Sequence, residues 1–197
     1  MAALRYETVF GADVRPFISD LARLRIQVFA EFPYLYAGEL GYEEAYLQHL
    51  ADCRRSVLVV AFDDAQVVGC STALPLIDGD AEFQQPFREQ GYDLQEVFYF
   101  GESVLDARYR GHGAGRVFFD EREAAARRGG FRWASFCAVQ RSSDHPARPE
   151  GYRPLDAWWQ RRGFERHPEL HTEFRWKEIG QTEETAQPMI FWLKELR

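Results

Sequence analysis

The chain has 197 residues, 46% apolar and 15% aromatic, enough to bury one substantial core, and no break in composition divides it, so residues 1–197 are read as one domain. A formal charge of −7 excludes nucleic acid or an anionic membrane as a general electrostatic partner and suits a cationic substrate. No run approaches the roughly 18 apolar residues of a membrane span, and Met1-Ala2-Ala3-Leu4-Arg5 carries charge where a secretion signal needs an apolar stretch, so a cytoplasmic location is expected. Cys53, Cys70 and Cys137 stand apart, with no C-x-x-C pair, and are read as buried thiols in a reducing compartment.

Arg5 to Phe10 reads as a first strand. Asp13 is placed to cap a first helix, with Pro16 in its opening turn and a buried stripe of Phe17, Leu21, Leu24 and Val28 ending near Phe29. Arg25 on this helix either lines a site or sits on its solvent edge. The aromatic turn from Phe32 to Gly38 leads into a short helix, Tyr42 to Leu50. Ser56 to Phe62 and Gln66 to Leu74 form a hairpin about Asp63-Asp64-Ala65. Ile77 to Gly91 is a surface insertion with a short helix from Ala81 to Glu89, placed to fold over a pocket.

Glu96 to Leu105 carries apolar side chains on both alternating faces, the pattern of a central strand covered on both sides. A helix follows, with Val117, Phe118, Glu121, Ala124, Ala125 and Arg128 at helical spacing and Gly129-Gly130 as its stop. Arg132 to Val139 is then a strand parallel to the central one, reached by a right-handed crossover. Gln140 to Arg153 is a long loop, and Pro154 to Arg162 a helix with Leu155, Trp158 and Trp159 on its apolar side, ended by Gly163. Glu173 to Lys177 and Met189 to Leu193 close the chain as strands around the polar connector Gly180 to Gln187.

The stretch between central strand and helix, Leu105-Asp106-Ala107-Arg108-Tyr109-Arg110-Gly111-His112-Gly113-Ala114-Gly115-Arg116, organises the rest. A glycine-rich turn opening a helix exposes unpaired N–H groups and the positive end of the helix dipole, which is a phosphate site. A Walker loop would end in Gly-Lys-Ser/Thr, but Gly115 is followed by Arg116-Val117. A dinucleotide fingerprint would place its last glycine at 116 or 118, where Arg116 and Phe118 stand, and no ribose-binding acid follows the next strand. What remains is Arg110-x-x-Gly113-x-Gly115, which resembles the coenzyme A pyrophosphate loop of the GNAT superfamily, the GCN5-related N-acetyltransferases.

That resemblance implies an α/β fold, a single-domain mixed central sheet with helices on both faces, and an acetyl-CoA-dependent N-acetyltransferase acting on the primary amine of a small molecule. It assigns cofactor binding to backbone near Val104 and Leu105 and to Arg110, Gly111, His112, Gly113, Ala114 and Gly115. The two parallel strands are expected to splay, with the pantetheine arm in the gap. Tyr34, Tyr36, Tyr42 and Glu43, between the first two helices, become candidate acceptor contacts.

Transfer to an amine needs a base, and Glu102 is the candidate: with Phe100 and Val104 as same-face neighbours it reads as a desolvated carboxylate. The competing role for Glu102 is a structural pair with an arginine. The tyrosine that often protonates the leaving thiolate is replaced by Trp159, four residues before Gly163-Phe164, which leaves Tyr152 or solvent as donor. No metal is expected, since Pro168 between His167 and His171 disfavours a ligand-bearing helix. A non-catalytic acyl-CoA sensor, or an acyltransferase for longer or carrier-bound chains, are the alternatives, and a homodimer is left open.

Overall fold

The computed structural model describes residues 3–196. Strands β1 (Arg5–Phe10), β2 (Val57–Asp63), β3 (Gln66–Pro75), β4 (Val97–Leu105), β5 (Trp133–Val139), β6 (Glu165–Lys177) and β7 (Glu184–Glu195) form one mixed sheet in the order β1-β2-β3-β4-β5-β7-β6. β4 and β5 are parallel, and the other neighbouring pairs are antiparallel. Helices α1 (Ile18–Phe29), α2 (Leu40–Asp52) and α3 (Ala81–Glu89) cover one face; α4 (Ala114–Arg128) and α5 (Asp156–Arg161) cover the other.

Burial on both faces explains the strand sequences. In Val57-Leu58-Val59-Val60-Ala61-Phe62, alternate residues enter the two core clusters, so the strand reads as a continuous apolar run. The α4 face is aromatic: Phe119 meets Phe100, Phe136 and Phe164 edge-on at centroid distances of 5.5–5.8 Å, and the Trp192 ring stacks on Phe136 at 6.3 Å.

Four local expectations shift. A 3₁₀ turn, Gly11–Phe17, holds Asp13 and Pro16, and α1 starts after it with no side-chain cap. The buried stripe of α4 is Ala114, Phe118, Phe119, Arg122, Glu123, Ala125 and Ala126, turned from the expected face because the two adjacent phenylalanines pull it toward the sheet. Leu155 is exposed, while Trp158 and Trp159 pack inward. β6 and β7 are longer than expected because their paired edges extend through polar residues, leaving 178–183 as the connection.

The consequential departure lies in β4. Ser71 pairs with Ser103 and Ala73 with Phe100, so Gly101 and Glu102 together face Thr72 in a β-bulge. The extra residue flips the alternation. Before the bulge Val97 and Tyr99 face the α1–α3 layer and Phe98 and Phe100 face α4; beyond it Val104 joins the α1–α3 layer. Phe100 is therefore not a same-face neighbour of Glu102. Thr72 knits the bulge: its Oγ1 accepts from Glu102 N at 3.2 Å and donates to Glu102 Oε1 at 3.0 Å. A Cβ at Gly101 would stand 2.4 Å from Thr72 Oγ1, which is why glycine occupies that position.

Gly101→Ala is expected to destabilise the protein by about 1–3 kcal/mol through this overlap. Urea unfolding checks it: in a Thr72→Ala background, where the hydroxyl is gone, the same substitution should cost much less. An equal cost in both backgrounds would refute the clash.

Candidate active site

β4 and β5 pair over three residues only, Val97↔Trp133 to Tyr99↔Ser135, and then part, β4 running on to Leu105 and β5 to Val139. Inside the sheet this leaves a slot walled by backbone N–H and C=O groups without a ladder partner across it, and buried groups of this kind need one. Asp106 N donates to Val68 O at 2.9 Å, and the Asp106 carboxylate caps the turn Ala107–Tyr109 by accepting from Arg108 N at 3.0 Å. Side-chain hydrogen bonds from Arg108 hold the Asp106 carboxyl well below the usual carboxylate range.

The chain then turns into α4 through Gly111 and Gly113, at φ 82° and 90°, conformations that L side chains rarely adopt. A Cβ at Gly113 or Gly115 would enter open space, so the loop presents bare backbone to solvent where the first N–H groups of α4 lack intrahelical acceptors. Arg110 stands at its rim, with Nε on Leu105 O at 3.2 Å and its fork on the Glu31 carboxylate at 2.6 and 2.9 Å. His112 is exposed in the loop. The donor set fits a pyrophosphate: a glycine cradle, a helix N-terminus and a guanidinium already gripping an anionic group.

On the opposite side of β4 lies a cavity of about 1000 Å³ under α1, α2 and α3. Tyr34, Tyr36, Tyr46, Phe83, Tyr99 and Trp176 form its aromatic wall, and it reaches Gly101 and Glu102 on β4 and Cys137 on β5, the two strands that have parted. The slot and the cavity thus meet beside the bulge.

Glu102 lies at that meeting point, in a buried charge cluster. Arg25 Nη1 is 2.6 Å from Glu102 Oε2, while Arg25 Nε bonds Glu43, which also accepts from Tyr36 Oη at 2.6 Å. The side chains of Glu43, Glu102 and Arg25 are 0%, 10% and 13% exposed. Two carboxylates share one guanidinium, and with all three ionised the cluster has a net charge of −1. Burial alone would lower the Arg25 pKa, but attraction from Glu102 and Glu43 outweighs it and holds the group above its ordinary value. The guanidinium lies over Phe29 and Tyr46, 5.1 and 5.2 Å from their centroids. Glu102 is therefore screened from water by an arginine and a hydroxyl, not by hydrocarbon as the unbulged strand would suggest. Farther out, Glu39, Asp80, Glu82, Glu173 and Glu184 outnumber Arg175 and Lys177 around the cavity.

Arg141, just beyond β5, braces the roof. It donates to Pro33 O at 2.6 Å, Tyr34 O at 3.0 Å and Gln187 Oε1 at 2.7 Å, and pairs with Glu178 at 2.5 Å. The turn from Phe32 to Ala37 is in this way fastened to the β6–β7 hairpin, with Ala37 N on Lys177 O at 2.9 Å.

Of the residues singled out in sequence, Tyr34, Tyr36, Glu43 and Glu102 line the cavity; Tyr42 reaches only its exposed mouth, stacked on Tyr46. Val104 is buried in the core, so only its backbone faces outward. Tyr152 does not line the cavity and packs edge-on to Phe32 at 4.7 Å. Trp159 is a packing residue against Phe136 and Trp192, at 4.9 and 5.2 Å. His167 pairs with Glu169, and among the described residues no cluster of three or more metal-ligating side chains occurs. The central position of Arg25 was half-legible: Leu21, Leu24, Arg25 and Val28 follow i, i+3, i+4, i+7, which puts the arginine on the apolar stripe. Nothing in the spacing marks Arg141.

No protein-family model matches the chain, and no curated protein matches it in sequence. Solved structures match it over nearly its whole length. A GNAT-family acetyltransferase from Streptococcus pneumoniae is 14% identical, with 98% of this chain and 99% of that one covered, at a TM-score of 0.59. An acetyltransferase from Thermus thermophilus is 18% identical, with 98% and 97% covered, at 0.57. A protein from Salmonella typhimurium, described only provisionally as an acetyltransferase and solved with its cofactor acetyl-CoA, is 11% identical, with 100% and 95% covered, at 0.61. The likeness is one of backbone architecture over whole chains, and by it the protein has the fold of the GNAT acetyltransferases.

Proposed function

We propose that the chain is a GNAT-superfamily N-acetyltransferase that moves an acetyl group from acetyl-CoA to the primary amine of a small cationic acceptor. The observation that carries this reading is the junction at residues 100–104. There the slot between β4 and β5, which runs from the glycine loop, opens onto the aromatic cavity beside Glu102. A thioester donor and an amine acceptor entering from opposite sides would meet only at that place.

Acetyl-CoA supplies the activated acyl group, and the chain's own groups do the rest. Gly111 to Gly115 and Arg110 bind the pyrophosphate, and the open edges of β4 and β5 offer backbone partners to an amide-bearing arm. The net negative Glu43–Arg25–Glu102 cluster attracts an ammonium, and the rim carboxylates extend that attraction outward. As the new C–N bond forms and the C–S bond breaks, coenzyme A leaves as a thiolate that takes a proton from solvent, and the amine must shed a proton. Glu102 accepts it, directly or through a water. Glu43 occupies Arg25 Nε and Glu102 takes Nη1, so two carboxylates share one guanidinium at the place where the amine would sit.

A covalent route through Cys137 is disfavoured. Its Sγ lies 3.1 Å from Tyr99 Oη, and burial pushes the thiol up to about 12, so almost none is thiolate at neutral pH. Cys137→Ala should keep kcat within about 3-fold, with intersecting initial-rate lines; parallel lines in the wild type and loss of turnover in the variant would establish a covalent route.

The loop reading has its own test. Calorimetry should show micromolar acetyl-CoA binding that Gly113→Val abolishes while circular dichroism stays native, because the valine is strained at φ 90° and fills the cradle. Glu31→Gln frees Arg110 and should tighten binding by about 2–5-fold, the range an exposed ion pair supports. Weaker binding by Glu31→Gln would show that the carboxylate does not compete.

Glu102→Gln is expected to lower kcat by about 100-fold in the amine assay with acetyl-CoA affinity changed less than about 2-fold. A kcat equal to that of the wild type would remove Glu102 from the chemistry.

A further inference from the structure

Arg122 is buried on the side of the sheet away from the cavity, 1% exposed, in the middle of the apolar stripe of α4. A guanidinium in that position needs acceptors, and it finds them in the bulge. Nη1 donates to Thr72 O at 3.1 Å and Glu102 O at 3.4 Å, and Nη2 to Ser103 Oγ at 2.8 Å; Nε returns to its own helix at Phe118 O, 3.1 Å. Its plane is held between Phe100 and Phe119, 4.4 and 4.8 Å from their centroids.

Thr72 and Glu102 are the residues at which the β3–β4 register breaks, so their carbonyls are the ones a bulge strips of regular ladder partners. Arg122 serves both, and also fixes Ser103, whose side chain points opposite to that of Glu102. Among the described residues no carboxylate forms an ion pair with it: Glu123, next in sequence, is taken by Arg162 and Lys194. Burial drives its pKa down to about 9, a cost for which simple core packing by a hydrocarbon side chain would have no need.

We propose that Arg122 is a positioning residue for acetyl transfer: by holding the β4 bulge from behind, it aims the Glu102 carboxylate into the cavity and ties that aim to α4, the helix whose first turn forms the glycine loop. The role rests on the N-acetyltransferase reading above. It predicts a specific kinetic pattern. A loosened bulge misplaces the base without touching either substrate, so kcat falls while the KM values stay, and the effect vanishes when there is no base to misplace.

The experiment compares wild type, Arg122→Lys, Arg122→Met, Glu102→Gln and the Glu102→Gln/Arg122→Met double variant. Steady-state kinetics are combined with hydrogen exchange on peptides covering 98–105. Arg122→Met should lower kcat by about 10–100-fold, the scale of a misplaced catalytic group, with KM for acetyl-CoA unchanged within about 3-fold. Lysine, which keeps a buried donor but cannot serve all these acceptors, should recover part of the loss. In the Glu102→Gln background Arg122→Met should cost nothing further. Exchange at 101–103 should quicken in both single Arg122 variants while α4 keeps its protection. A full, multiplicative loss in the Glu102→Gln background, or unchanged exchange at 101–103, would overturn the proposal. If Arg122→Met does not fold, Arg122→Lys in the two backgrounds carries the same comparison. If the wild type acetylates no amine, the functional reading fails by itself, and hydrogen exchange alone decides whether Arg122 holds the bulge.

Discussion

The position of β4 between two unlike neighbours is the constraint on which the rest depends. On one edge it must stay paired with β3 to hold the sheet together; on the other it leaves β5 after three residues. A strand that loses half its ladder in the middle of a sheet leaves backbone groups along the slot that need partners from outside the sheet. The bulge at Gly101-Glu102 falls where this parting begins. It turns the second half of the strand over, and the carboxylate that plain alternation would bury among the phenylalanines on the α4 side is delivered instead to the cavity beneath α1 and α2.

Charge burial follows from the same geometry. A lone carboxylate at the bulge would be costly in a protein interior. In the Glu43–Arg25–Glu102 arrangement Arg25 makes the desolvation of two acids tolerable, and with all three ionised one negative charge is left over. Phe29 and Tyr46 flank the guanidinium, 5.1 and 5.2 Å from their ring centroids. Tyr36 donates to Glu43 at 2.6 Å, so this fully buried carboxylate is held by a hydroxyl as well as by Arg25.

What the sequence made legible was whatever depends on local chemistry. The glycine loop, the flanking strand and helix, the β2–β3 hairpin and the insertion helix Ala81–Glu89 follow from residue types at short range. So does the mixed sheet, once the strand–loop–helix–strand unit is read as a crossover. What stayed hidden depends on register across strands. No property of Phe-Gly-Glu-Ser announces a bulge, because it is defined by the two-for-one pairing with Thr72, thirty residues earlier, and the face of Glu102 cannot be assigned without it. The arginines show the intermediate case. Arg25 and Arg122 both stand on apolar stripes, a pattern visible at helical spacing, but their partners lie on other elements and are found only when the chain is folded.

This division bears on how so little sequence can carry so much architecture. Agreement of fold over whole chains at 11–18% identity means that most positions differ between this protein and the solved ones. Packing tolerates that, since hydrophobic volume can be redistributed among neighbours as long as total volume and pattern persist. Positions fixed by backbone conformation have no such freedom. At Gly113 the demand is a positive φ at the start of α4, and at Gly101 it is the absence of a Cβ against Thr72. Neither can be met by a compensating change elsewhere in the core. Glycine at these two positions therefore answers to backbone geometry, whereas the aromatic core answers to packing, which neighbouring side chains can share.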